Sequence, residues 1–270
     1  MKSRLIAAVL IALQPFVALN VKAELRIAAA ADLTFVMHEL VKEFNKARKD
    51  SSIHVSYGAS GNFHAQIIQH APFDMFFSAN EEYVTDLISR KLAEPKERFE
   101  YGEGRIALWV PKSSPIDLDQ SGMEALLNSQ IRKIAIANPR HAPYGKAAEA
   151  AMKSAGIYER IKRKLVFGED ISQATQFVHT KSADIGILAL GLIKAPEIAE
   201  QGKFWIIPPH LYPKMVQEGV ILKRVKDLNS AQNFRNYVLS QEGKRILEKY
   251  GFIQLKSKGS TEVSTSVSGN

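Results

Sequence analysis

The chain is expected to be an α/β protein built from largely parallel sheets, and three observations lead there. A strand–turn–helix unit recurs along most of its length, and short apolar runs repeatedly give way to helical apolar spacing. About 247 residues remain once an amino-terminal export segment is set aside, enough to bury a large core in a chain without cysteine. Strands alternating with helices imply right-handed βαβ connections, which place ligands in the turns at the carboxyl ends of strands. The same length suits either one large domain or two smaller lobes.

The elements follow in order. Lys2 and Arg4 precede an apolar run from Leu5 to Leu19, and Val21-Lys22-Ala23 closes it. This is the layout of a cleavable secretory signal over residues 1–23, with a mature chain starting at Glu24. Gln14 and Pro15 interrupt the run, which is short for a span of about twenty apolar residues. No later stretch is long or apolar enough to span a bilayer, and no cysteine offers a lipid anchor or a disulfide. The expected product is a soluble periplasmic protein. "LRIAAAADL" reads as a buried strand ending in small residues, and Leu33, Val36, Met37, Leu40, Val41 and Phe44 follow at helical spacing. The pattern repeats in "IHVSYGASGNFHAQIIQHA", "FDMFFSANEEYVTDLISRKLA", "RKIAIANPRHAPYGKAAEAAMKSAG", "KLVFGEDISQATQFVHTKSA" and "DIGILALGLI".

Two stretches read as crossings between lobes: "YGEGRIALWVPK" and the proline-rich "PPHLYPKMVQEGVILKRV". They divide the chain into a discontinuous lobe I of residues 24–105 plus 214–256, completed by the last helices, and a lobe II of residues 106–213. Residues 257–270 lack apolar periodicity and read as a disordered tail. The formal charge of +8 falls to about +5 when Lys2, Arg4 and Lys22 leave with the signal. A positive balance suits an anionic small ligand, while basic residues spread along the chain argue against nucleic acid. A monomer is expected.

The turn Gly58-Ala59-Ser60-Gly61-Asn62 raises two chemistries, a nucleophilic serine and an anion-contacting turn, beside a purely structural role. The strained G-x-S-x-G elbow is not met, because Asn62 stands where its second glycine belongs. His64 lies four residues after Ser60, but spacing alone supplies neither a placed base nor an orienting acid. The seven histidines form no H-E-x-x-H pair, and the glycines form neither a dinucleotide fingerprint nor a phosphate loop. No free metal cation and no cofactor is expected. What remains is a set of turns before helices, "AAADLT", "GASGN", "HAPYGK" and "GEDISQ", each able to present N–H donors at the positive end of a helix dipole. Taken singly, such turns are ordinary helix caps.

In their order along the chain, "AAAADL", "YGASGNFHAQI", "APFDMFFSAN", "NPRHAPYGKAAEAAM", "GEDISQA" and "ILEKYGF" resemble the periplasmic molybdate-binding proteins of ABC importers, over nearly the whole mature chain. The resemblance implies a two-lobed periplasmic-binding-protein fold, each lobe a mostly parallel sheet flanked by helices, joined by crossing hinge strands. It implies a non-enzymatic protein that closes on molybdate or tungstate and delivers it to a membrane permease. The family's binding turns fall on Asp32, Ser60, Tyr144 and Ile171. Ser60 is expected to give hydroxyl and amide, and Tyr144 and Ile171 to act through backbone N–H, so that their side chains matter little. A tyrosine hydroxyl that some members use after the "GI" strand is replaced here by Ala189.

Asp32 is the main departure, since many members carry a small hydroxyl residue there. Molybdate is a dianion without a proton, and an ionised aspartate only accepts hydrogen bonds. Two unit charges 4 Å apart at an effective dielectric of 20 repel by about 4 kcal/mol, roughly doubled for a dianion. A charge-assisted hydrogen bond returns only about 1.5–3 kcal/mol. Two resolutions are open. Asp32 precedes the first helix and is expected to cap it, turning its carboxylate onto first-turn amides. Alternatively the ligand keeps a proton, as hydrogen phosphate does, and Asp32 accepts it. A periplasmic serine hydrolase using Ser60 is the alternative of a different class.

Overall fold

The computed structural model describes residues 24–47 and 52–255. The signal segment and the tail of the sequence reading lie outside the described residues. Two five-stranded sheets make up the protein. The first contains β1 (Glu24–Ala30), β2 (Ser52–Gly58), β3 (Met75–Ser78), β4 (Ala93–Gly104) and β10 (Met215–Leu222), in the order β2-β1-β3-β10-β4. The second contains β5 (Ile106–Pro111), β6 (Ile134–Ala137), β7 (Leu165–Gly168), β8 (Ile185–Ala189) and β9 (Gly202–Ile206), in the order β7-β6-β8-β5-β9.

The two sheets share one plan. In the first, β1 runs parallel to β2 and β3, while β10 is antiparallel to β3 and β4. In the second, β6 runs parallel to β7 and β8, while β5 is antiparallel to β8 and β9. Each sheet therefore has a single reversed strand, and that strand follows a crossing: β5 directly after β4, and β10 after the proline-rich segment. Gly104 and Met215 are register partners, so the two crossings lie side by side.

Helices cover the sheets where the sequence shows helical spacing: α1 (Thr34–Ala47), α2 (Ser60–Ile68), α3 (Glu81–Ser89), α4 (Leu118–Ser121), α5 (Pro143–Ser154), α6 (Tyr158–Ile161), α7 (Ile171–His179), α8 (Leu190–Ile193), α9 (Pro196–Ala199), α10 (Leu228–Val238) and α11 (Gln241–Lys249). Leu33, just before the first helix, and Val36, Met37, Leu40 and Phe44 within it are buried, and Val41 is half-buried. The last two helices return to the first sheet, where Phe234 meets Phe44 edge-on with ring centroids 5.3 Å apart. Such a pair adds about 0.5–1.5 kcal/mol beyond its buried area.

One long strand was not legible. β4, "AEPKERFEYGEG", carries Pro95 and six charges, and its period-2 signal is confined to the buried Glu97, Phe99 and Tyr101 alternating with exposed Arg98 and Glu100. Glu97 is tolerated inside because Arg235 pairs with it at 2.8 Å and Gln232 donates to it at 3.0 Å. The strand places Tyr101 and Gly104 beside the site described next.

Candidate functional site

β1, β2, β6 and β7 all end at the same place, and the turns that follow them surround a small cavity of about 10 Å³ lined by Asp32, Ser60, Tyr144 and Ile171 together with Ala31, Ala59, Ala79, Pro143 and Asp170. The four residues singled out in the sequence, spread over 139 positions, are thus neighbours around one small space. The lining is alanine-rich, which lets backbone approach closely, and contains no lysine or arginine.

Helix termini supply the donors. Ser60 and Ile171 are the first residues of α2 and α7; Tyr144 follows Pro143 at the start of α5 and offers that helix's first N–H, since proline has none. These amides have no carbonyl one turn back within their helices. Among the helices of nine residues or more, α3, α10 and α11 have a first-turn amide satisfied by the side chain of Asn80, Asp227 or Ser240. Both α2 and α5 begin at alanines with no such side-chain bond. On α7, Asp170 caps the amide of Gln173 and leaves that of Ile171. Ser60 Oγ accepts from the Ala79 N–H at 3.0 Å, which leaves its own hydrogen to donate.

Asp32 does not cap α1, correcting that expectation. A short 3-10 turn, Ala31–Leu33, intervenes before the helix, and its cap is Ala30, without a side-chain bond. With Asp32 inside the turn, its carboxylate is carried away from the α1 amides. Instead Oδ2 accepts from the Tyr144 hydroxyl at 2.9 Å. The Tyr144 side chain, expected to matter little, spans from α5 to Asp32. Gln217 Nε2 donates to the Tyr144 hydroxyl at 3.3 Å, and the Tyr101 hydroxyl donates to Gln217 Oε1 at 3.0 Å. A Cβ on Gly104 would run into both the Tyr144 hydroxyl and Gln217 Nε2, so glycine at the crossing makes room for the chain of bonds. Neither Gln217 nor Tyr101 was singled out from the sequence. The available signal was a glutamine inside the apolar strand "MVQEGVIL", where it is fully buried.

Asp32 is wholly buried, and its Oδ1 has no hydrogen-bond partner among the described residues. Burial pushes its carboxyl from 3.8 up to about 7, outweighing the Tyr144 bond and a backbone bond that act the other way. The folded protein thus holds this proton more tightly than the unfolded chain. The stability it contributes is complete below about pH 3.8 and is lost as pH rises through about 7. Tyr144 is driven well above its ordinary value by burial and by the neighbouring Asp32, so it stays a donor.

Contacts between elements of the two sheets close the rim. Gly61 N–H donates to the His141 carbonyl at 2.9 Å, Asn62 Nδ2 donates to Glu169 Oε1 at 2.7 Å, and Lys146 Nζ lies 5.8 Å from the centre of the Tyr83 ring. The nucleophilic reading of Ser60 finds no support in this geometry. His64 Nε2 is bonded to Asp86 Oδ2 at 2.7 Å and its ring lies against Tyr83, while Ser60 Oγ is held by Ala79. Ala189, buried at the end of β8, is not part of the cavity lining.

No helix among the described residues is long and apolar enough to cross a membrane. The sequence pattern of the bacterial extracellular solute-binding proteins matches residues 25–253. The chain is 33% identical over 226 residues to the molybdate-binding protein ModA of Rhodobacter capsulatus, covering 84% of this chain and 86% of the relative. It is 34% identical over 230 residues to ModA of Azotobacter vinelandii, covering 85% and 90%. The solved periplasmic molybdate-binding protein of Azotobacter vinelandii superposes with a TM-score of 0.81 at 28% identity, covering 86% of this chain and 100% of that one. The chain therefore belongs to the bacterial extracellular solute-binding protein family, together with these molybdate-binding relatives.

Proposed function

We propose that the protein binds molybdate, and tungstate with it, in the cavity between its two sheets, with Asp32, Ser60, Tyr144 and Ile171 as the binding residues. The observation that carries this reading is the convergence of first-turn amides of α2, α5 and α7, with the Ser60 hydroxyl, on one small space without a cation. Neutral, fixed donors around a small buried space suit a tetrahedral anion, because they need no counter-charge and little reorganisation. Relatives named for molybdate, matched over most of their length, support the choice of ligand. Residues 24–105 with 214–256 form one lobe and 106–213 the other, closing about the paired crossings at Gly104 and Met215. The protein acts in the periplasm as a monomer and hands its ligand to an ABC-type permease without a catalytic step.

A phosphate site with Asp32 as acceptor would need an ionised carboxylate next to the ligand, which burial opposes. The test is thermal stabilisation across oxyanions at neutral pH. Molybdate or tungstate at 100 times its dissociation constant should add about 2.7 kcal/mol. That gain should survive added salt, as surface binding would not. Stabilisation by phosphate but by neither molybdate nor tungstate would sink the proposal.

A further inference from the structure

We propose that Asp32 enters the liganded site as a neutral carboxylic acid, receiving the Tyr144 hydroxyl on Oδ2 and donating an Oδ1 proton to an oxyanion oxygen, so that one proton is taken up with each doubly charged tetrahedral oxyanion. The inference rests on the binding reading above and adds to it a coupled proton. Its reaction is the carboxylate, one proton from solvent and the dianion giving the acid hydrogen-bonded to the dianion.

The direction of the hydrogen bonds carries the argument. Gln217 uses its Nε2 donor on the Tyr144 oxygen, and its Oε1 shares the Tyr101 hydroxyl hydrogen with the Ser78 carbonyl. The Tyr144 hydrogen is thereby committed to Asp32 Oδ2 at 2.9 Å. Oδ1 is left buried, without a partner, on a residue that lines the cavity. A carboxylate oxygen there would face the ligand as one more acceptor; a hydroxyl there completes a shell of donors. The groups around it do not supply a counter-charge. Tyr144 from α5, Tyr101 from β4 and Tyr212 before β10 are phenols, and Asp170 on the far wall is itself acidic. Glu218, next to Gln217, is paired with Arg98 at 2.5 Å. Burial already raises the Asp32 carboxyl to about 7, and an arriving dianion pushes in the same direction.

Isothermal titration of the full protein with molybdate, between pH 7 and 9 and in buffers of different ionisation enthalpy, tests this. Uptake approaching one proton per molybdate is expected, with affinity falling about tenfold per pH unit in the upper part of that range. Asp32→Asn, which keeps an acceptor for Tyr144 and places an N–H at the other position, should bind with no proton uptake and a flat pH profile. Tight molybdate binding by the wild type with no proton taken up and no pH dependence would overturn the inference while leaving the binding reading in place. A wild-type pH slope retained in Asp32→Asn would also overturn it. No molybdate binding at any pH would remove the binding reading itself. The wild-type measurement decides the matter even if the variant does not fold.

Discussion

Asp32 and Ser60, which follow strands of the first sheet, present side-chain oxygens at the cavity beside the first-turn amide of α2, whereas Ile171 and Tyr144, opening helices on the second, present first-turn amides. On the second side one side chain, that of Tyr144, takes part, and its hydroxyl is spent on Asp32. The difference divides the work. Backbone donors are placed by where a helix begins, so substitution alters them only by moving the helix. Side-chain donors can be removed singly, and one of them, Asp32, has a protonation state that the solution can change. The second side relies on rigid placement, while the first adds adjustable chemistry to it.

The sharpest way to break that division is to move a helix. Gly145 follows Tyr144, and a Cβ there would meet the carbonyl oxygen and carbon of Ala137 and the backbone of Asn138. Backbone cannot give way as a flexible side chain can, so Gly145→Ala must displace the start of α5 and the Tyr144 amide with it. Overpacking of this kind costs about 1–3 kcal/mol. Differential scanning calorimetry should show the melting temperature falling by roughly 2–12 °C, and titration should show molybdate binding lost beyond the effect of any single side-chain change. A variant with unaltered melting and affinity would mean that α5 does not hold its donor in place.

Removing single side-chain hydroxyls should cost less. Ser60→Ala keeps the Ser60 amide but deletes the hydroxyl and strands the Ala79 N–H. Affinity should fall by about 1–3 kcal/mol, roughly 5- to 150-fold. Tyr144→Phe keeps an amide too, and removes the donor to Asp32 and the acceptor of Gln217. A neutral bond of this type contributes about 0.5–1.5 kcal/mol, so a smaller loss of affinity is expected. Since the Tyr144 bond is a downward influence on the Asp32 carboxyl, the pH at which affinity begins to fall should move upward. If Tyr144→Phe matched wild type in both affinity and pH profile, the side chain would be as dispensable as the family resemblance implies.

The same division explains what was legible. Ser60, Tyr144 and Ile171 each stand where a short apolar run ends and helical spacing begins, a local signal, and the resemblance of four such turns joined them into one site. The role of Tyr144's hydroxyl was hidden because it depends on Gly104 and Gln217, 40 and 73 positions away, which only the paired crossings bring together. Asp32 was misread for a related reason. Aspartate before a helical pattern is a good cap by local preference, but a 3-10 turn separates it from α1, and the contact that holds it comes from the other sheet. The charged β4 escaped notice because the partners that make Glu97 acceptable, Arg235 and Gln232, lie on α10 near the end of the chain.

The smallest expected effect is the most discriminating for the backbone side. Ile171 is 3% exposed and packs in the core of the second sheet, so Ile171→Val removes one buried methylene. Folding stability should fall by about 0.5–1.5 kcal/mol, as such truncations do. Its amide, however, is set by Asp170, whose side chain caps Gln173 and whose carbonyl accepts from Ala174, and valine disturbs neither bond. Molybdate affinity should therefore match wild type while the melting temperature drops, a separation that Ser60→Ala should not show. An affinity loss as large as that of Ser60→Ala would mean that the isoleucine side chain itself shapes the anion's seat, and the contrast between the two sides of the cavity would fail.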